Sequence, residues 1–233
     1  MSGEDLTAAW EGNAVDWLTW ARAPGHDVAF WEMNAPAFRK LLPAPGLGAI
    51  DVGCGEGRVG RMLSELGHRV RGLDSSPTLA EAARAAGGYE EVVCGDAVAL
   101  PWSADSCDLA VAFMCLMDMP DPAAAVREIS RVLISGGRLC IAITHPLNGT
   151  PEFLDDYFTE RVFDEKVDAD GLHMRFIGRE RTIGDYTGAL TDAGFVIEAF
   201  QELQPSAEAI ARAPRLAAAA RRPWTLLIRA RLD

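Results

Sequence analysis

The stretch Asp51-Val52-Gly53-Cys54-Gly55-Glu56-Gly57-Arg58-Val59-Gly60 decides the fold. It closes the short apolar run Ala49–Val52 and opens a segment in which Val59, Met62, Leu63 and Leu66 recur at helical spacing. A strand, a glycine cluster and a helix in that order bring backbone close to a ligand beside the positive end of the helix. Two frames fit the glycines. Gly55-Glu-Gly-Arg-Val-Gly60 is G-x-G-x-x-G, the weak dinucleotide fingerprint. The other frame is Asp51-x-Gly53-x-Gly55-x-Gly57, and it alone gives the strand's acidic residue a purpose. A buried carboxylate without a partner is costly, so Asp51 favours the second frame.

Working outward, strand-like and helix-like stretches alternate. Residues 69–73 alternate and end at Asp74; 77–86 is an alanine-rich helix stopped by Gly87-Gly88; Val92-Val93-Cys94 is the next strand. Residues 108–113 read as a buried strand. Asp121-Pro122 supplies an N-cap with proline at the first helical position, Val126, Ile129 and Leu133 mark one apolar face, and Gly136-Gly137 is expected to close that helix. Residues 138–143, 195–200 and 224–230 complete the strands. This rhythm predicts an α/β fold, a mostly parallel sheet with helices on both faces.

Two regions break the rhythm. Residues 1–42 carry four of the six tryptophans and read as helices; residues 151–183 hold two alternating stretches around Asp168-Ala169-Asp170-Gly171, an expected hairpin turn. The predicted organisation is one domain: an N-terminal helical cap (1–42), a core (47–147), an inserted cap (151–183) and a sheet completion (184–233).

Beyond the glycine loop, Gly95-Asp96-Ala97 follows the third strand, Leu100-Pro-Trp-Ser-Ala-Asp-Ser-Cys-Asp108 follows that, and residues 127–137 read R-E-I-S-R-V-L-I-S-G-G. With these motifs the chain resembles the class I S-adenosylmethionine-dependent methyltransferases, in particular their small-molecule branch. The resemblance covers about residues 47–143 and continues more loosely through Tyr186-x-x-x-Leu190-x-x-Ala193-Gly194-Phe195. It implies a Rossmann-like seven-stranded sheet with one antiparallel strand near its edge, and S-adenosylmethionine as cofactor.

It also implies roles for residues. Gly53, Cys54, Gly55 and Gly57 would cradle the cofactor's methionine part, and Asp51 would help fix its amino group. Asp74, with Ser75 and Ser76 beyond it, would take the ribose hydroxyls. Gly95, Asp96 and Ala97 would face the adenine. Met114 and Cys115 would border the methionine portion, with Trp10 covering the cofactor. At residues 179–182 the chain departs from the family's H-R-P-L-type run, reading Arg-Glu-Arg-Thr, so no role attached to that histidine is carried over to these residues.

Methyl transfer rests largely on proximity and orientation, but a hydroxyl or protonated amine acceptor benefits from a base tuned near neutral pH. His145 and Asp118 follow predicted strands at the rim where ligands sit in open α/β sheets, which makes them the candidate bases. The alternatives are a histidine that orders the turn before Pro146 and a carboxylate that caps or stays solvated. Trp20, Arg22 and Trp31 are candidates for an aromatic acceptor pocket, with plain helix packing as the alternative.

Net charge is 22 basic against 34 acidic residues, or −12, which repels phosphate backbones and argues for a small-molecule acceptor rather than nucleic acid. The five cysteines include no C-x-x-C, so reduced thiols in a cytoplasmic protein are expected, with no metal. The acidic N-terminal stretch does not read as a signal peptide, and no membrane contact is expected. A homodimer is allowed by these observations. The expected reaction is methyl transfer to an O, N or C atom of a small molecule. The rivals are an S-adenosylmethionine-binding cyclase or rearrangement catalyst and a nicotinamide-dependent oxidoreductase.

Overall fold

A computed structural model describes residues 5–169 and 171–233. In chain order the main elements begin with helix α1 (Leu6–Arg22), a π-helical turn at Phe30–Asn34 and α2 (Ala35–Leu41). The core follows: β1 (Ala49–Val52), α3 (Arg58–Glu65), β2 (Val70–Asp74), α4 (Pro77–Ala86), β3 (Glu91–Cys94), β4 (Cys107–Phe113), α5 (Pro122–Val132) and β5 (Leu133–Thr144). Then come α6 (Pro151–Asp155), β6 (Arg161–Ala169), β7 (Leu172–Glu180), α7 (Ile183–Asp192), β8 (Phe195–Glu202), α8 (Ala207–Arg212) and β9 (Thr225–Leu232).

Seven strands form one sheet in the order β3-β2-β1-β4-β5-β9-β8. The pairs from β3 through β5 are parallel, and β9 runs antiparallel to both β5 and β8. The central strands are apolar without alternation because both faces are covered. Leu109, Val111 and Phe113 of β4 meet Phe38, Val59 and Leu63 from α2 and α3 on one face. Ala110 and Ala112, one residue out of step, meet Val126, Ile129 and Leu190 from α5 and α7 on the other.

Local chemistry sets the helix ends. Asp5, Ser76, Asp121 and Thr182 each accept backbone N–H groups at an N-cap, and Thr182 with Asp185 completes a capping box on α7. One expectation fails here. Gly136-Gly137 does not close α5, which ends at Val132; the chain is already extended at Leu133, which pairs with Cys107. The register then shifts between Cys107 and Leu109, and a Cβ on Gly137 would lie 2.8 Å from the Ile134 carbonyl. The glycines serve a strand irregularity, a use that helical spacing cannot distinguish from a helix stop.

The predicted hairpin is β6–β7, paired in register from Arg161↔Glu180 to Ala169↔Leu172 as a separate two-stranded sheet. Asp170 of its expected turn, like residues 1–4, lies outside the described residues. Helix α1 lies against β7 and α4. The Trp10 indole donates to the Ile177 carbonyl (3.1 Å) and the Asn13 amide to the Arg175 carbonyl (3.1 Å). On its other side, Glu11 accepts from Thr78 Oγ1 (2.6 Å) and from the Ser76 hydroxyl, which hold its carboxyl below the usual range. Among the described residues no helix is long and apolar enough to cross a membrane.

Candidate functional site

The strand order turns back on itself between β1 and β4, so their carboxyl ends splay and leave a crevice. Helix α1 and the β6–β7 hairpin roof it, enclosing a cavity of about 1110 Å³.

Its floor is the glycine loop. Gly53 and Gly55 have φ of +68° and +55°, the left-handed region that glycine enters without cost. A Cβ on Gly53 would fall 2.6 Å from that of Cys115, so the β1 and β4 ends touch here through a missing side chain. The Gly53 and Cys54 amides both donate to the Leu73 carbonyl, at 2.8 and 3.0 Å. At the end of β2, Asp74 receives the Gly55 amide on one oxygen (2.7 Å) and the Ser76 amide on the other (2.9 Å). Burial raises its proton affinity while those two donors oppose the rise. Each carboxylate oxygen retains a lone pair for a further donor. Gly95, Asp96 and Ala97 continue the wall from β3; Met114, at φ +52°, and Cys115 continue it from β4. The Cys115 thiol donates to the Val52 carbonyl (3.1 Å), which ties it to packing.

Of the residues expected to hold a cofactor, Gly53, Cys54, Gly55, Asp74, Ser75, Gly95, Asp96, Ala97, Met114, Cys115 and Trp10 therefore share one cavity. Three do not reach its wall. Ser76 is wholly buried as the N-cap of α4, and Gly57 sits against Ala83. Asp51 is 1% exposed beneath the loop, where it accepts from the Tyr89 hydroxyl (2.7 Å); its Oδ1 has no partner. Burial, with Asp74 adding to it, pushes its carboxyl up to about 7. It supports the loop from behind rather than meeting a ligand directly.

Tyr89 was invisible to motif reading, yet it explains two glycines. Its hydroxyl also accepts the Gly60 amide (3.1 Å), and a Cβ on Gly60 would fall inside its ring. At Gly72 a Cβ would lie 2.8 Å from the same ring. Gly60, the last glycine of the dinucleotide frame, is thus spent on Tyr89 and not on a pyrophosphate.

His145 and Asp118 both border the cavity, but differently. The His145 side chain is wholly buried. Its Nδ1 accepts from the Leu147 amide (3.0 Å) and its Nε2 lies 2.9 Å from Glu202, so Nε2 carries the proton. Burial lowers its proton affinity, against the pull of Glu202. With both nitrogens engaged it has no site for an acceptor's proton. It orders the turn before Pro146, which replaces the base role expected from its position.

Asp118 ends a 3₁₀ turn at Leu116–Asp118 after β4. Its carboxyl is pushed well above the ordinary range by burial, with Asp74 adding and Arg181 and the Trp10 indole opposing. It is seated against β7 at Gly178, where a Cβ would come within 2.6 Å of its Oδ1.

Trp20, Arg22 and Trp31, expected to shape an acceptor pocket, line none of this cavity. Trp20 is buried edge-on to His26 and Phe176, Arg22 turns outward to Glu56 (3.4 Å), and Trp31 is 57% exposed. Helical phase puts them on faces of the N-terminal segment that point elsewhere. Aromatic residues that do line it include Trp17, Phe30, Phe113, Phe153, Phe163 and Phe176. Arg58 lies 3.8 Å from the Phe30 ring centre and 4.9 Å from that of Trp17, and is neutralised by Asp27 at 2.6 Å. No group of three or more side chains suited to a metal occurs among the described residues.

Residues 50–141 match the family model described as a methyltransferase domain. The solved S-adenosylmethionine-dependent methyltransferase from Mesorhizobium loti is 31% identical, with a TM-score of 0.68 over 87% of this chain and 97% of that one. Methyltransferase GfsG from Streptomyces halstedii is 36% identical over 117 residues, which are 47% of this chain and 42% of that protein. Matches to the curated relatives thus span about half their length or less. The [4+2]-cyclase SpnF shares the fold at 20% identity and a TM-score of 0.66, over 98% of this chain and 96% of its own.

Proposed function

Since the chain belongs to the S-adenosylmethionine-dependent methyltransferases, we propose that it transfers the cofactor's methyl group to a hydroxyl or amine of a small, largely apolar molecule. The family's cofactor is S-adenosylmethionine, and the residues present fit it. The loop at Gly53 and Gly55 leaves no room for side chains where the cofactor would approach, and Asp74 offers free lone pairs to a diol. Asp74, Asp96 and Asp118 on the walls suit a group that carries positive charge. Membership of this family sets aside the nicotinamide reading of the glycine loop.

When bound, S-adenosylmethionine supplies an electrophilic methyl on a sulfonium that leaves as a neutral thioether. The protein's share is to hold an acceptor in line and to dispose of its proton. Gly53, Gly55, Asp74 and Asp96 would hold the cofactor; Phe153, Phe163 and Phe176 would sandwich the acceptor and exclude water. Asp118 would take the O–H or N–H proton as the acceptor's lone pair moves onto the methyl. A carboxylate with raised proton affinity is the better base for that task, since its strength approaches that of the group it deprotonates.

The observation that carries this reading is the cavity of about 1110 Å³ in which the glycine loop and Asp118 both take part. One drug-sized ligand fills roughly 300–1,000 Å³, so the space suits a cofactor together with a small acceptor. Supplying methyl-labelled S-adenosylmethionine with a panel of phenols, alcohols and amines tests it. S-adenosylhomocysteine formed in step with a methylated acceptor is the expected result. Cofactor binding with conversion of an acceptor but no methylated product would replace transfer by a cyclisation or rearrangement.

A further inference from the structure

We propose that Arg181 is the positioning residue for Asp118: it straps the turn that carries the carboxyl to the end of the hairpin and holds a positive charge behind it. The proposal rests on reading Asp118 as the group that accepts the acceptor's proton.

Arg181 is 5% exposed, and its whole fork is committed. Nε donates to Glu160 (2.6 Å), and the terminal nitrogens donate to the carbonyls of Met117 (3.5 Å), Met119 (3.0 Å) and Pro120 (3.3 Å). Those carbonyls flank Asp118 on both sides in the chain. Within the turn's backbone the Asp118 amide donates to the Cys115 carbonyl (2.9 Å) and that of Met119 to Leu116 (3.4 Å), while the side chains of Leu116 and Met117 are buried in the core. A rigid planar fork with five donors can hold three carbonyls of one loop at once, which an ammonium cannot do with the same geometry. Glu160 in turn is shared with Arg179 (2.6 Å), so the clamp is anchored on the hairpin.

The hairpin completes the seat. Gly178, two residues before Glu180 at the end of β7, has no side chain where the Asp118 carboxyl lies, and Trp10 on α1 closes the next side. The ionisable groups around Asp118 are Arg181 beyond β7, Asp74 on β2, Tyr186 on α7 and Cys115 on its own loop. Only Arg181 among them is cationic. Asp74 disfavours charge on Asp118, whereas Arg181 favours it, so the clamp keeps an otherwise desolvated carboxyl within reach of ionisation.

The test follows the Asp118 carboxyl carbon by NMR in full-length protein labelled with [γ-¹³C]aspartate, its signal assigned by loss in Asp118→Asn. Arg181→Met should move the Asp118 midpoint upward by about one to three pH units, the effect of an opposite charge at close range, and Arg181→Lys, which keeps the charge but not the fork, should restore only part of it. An unmoved midpoint in a folded Arg181→Met protein overturns the proposal. The wild-type protein provides a second reading, independent of whether that variant folds. The Arg181 Nε–H resonance should titrate with the Asp118 midpoint and stop doing so in Asp118→Asn. A flat Arg181 signal across that range overturns the proposal as well. The premise is checked separately: Asp118→Asn should slow acceptor-dependent formation of S-adenosylhomocysteine by about 10²–10⁴-fold. A wild-type rate there removes the base, and the positioning role with it, even if the two groups titrate together.

Discussion

Replacing Asp51 by asparagine should stabilise the protein, and increasingly so as pH rises. In the folded chain this carboxyl is 1% exposed, accepts from the Tyr89 hydroxyl, is further favoured in its charged form by the Gly60 amide, and leaves Oδ1 unpaired. Burial lifts it from an ordinary 3.8 to about 7. The folded state therefore holds a proton that the unfolded state has released. Stability attached to Asp51 is fully present below about pH 4, falls as pH climbs through 7 and is flat above. Three pH units at 1.36 kcal/mol each amount to about 4 kcal/mol, of which about 3 kcal/mol lies between pH 5 and pH 8. Asparagine keeps the shape and an oxygen for Tyr89 while removing the titration. Urea unfolding of both proteins at the two pH values reads the effect of Asp51 together with its coupling to Asp74, because the other carboxyl pushed up by burial, Asp118, is common to both. The asparagine variant should gain about 3 kcal/mol on wild type between pH 5 and pH 8. A stability difference that is the same at both values, or that shrinks, refutes the argument.

Asp74→Ala should weaken binding of S-adenosylhomocysteine by about 1–3 kcal/mol, since the Gly55 and Ser76 amides lose their acceptor together with the diol; calorimetric affinities equal to wild type would sink that assignment. Gly60→Ala should cost about 1–3 kcal/mol by displacing the Tyr89 ring, and an unchanged thermal midpoint would show that the ring is not confined. His145→Ala should lose about 1–3 kcal/mol of stability through the orphaned Leu147 amide, with turnover in the folded fraction close to wild type; intact stability with lost turnover would return it to the chemistry.

Much of the architecture was legible along the chain. The run from Asp51 to Gly60, the Asp-Pro cap of α5 and the alternating stretches of β6 and β7 act over a few residues, where backbone preference and hydrophobic period speak directly. Gly136-Gly137 misled because the same residue pair suits a helix stop and a strand irregularity, and which one forms depends on pairing with Cys107 and Leu109. The floor of the cavity was legible for a similar reason: its residues follow strand ends in sequence. Trp20, Arg22 and Trp31 were misplaced because the direction a helical side chain points depends on where its helix docks.

By itself, then, the sequence determined the parallel sheet, the glycine loop and the acidic residues at the strand ends, all products of local order. The three-dimensional packing alone shows that Tyr89 rather than a ligand fills the space beside Gly60, that His145 gives one nitrogen to the Leu147 amide and the other to Glu202, and that Arg181 clasps the carbonyls around Asp118. The Gly60–Tyr89, His145–Glu202 and Arg181–Met119 contacts join residues 29, 57 and 62 positions apart, which no local window of the chain brings together.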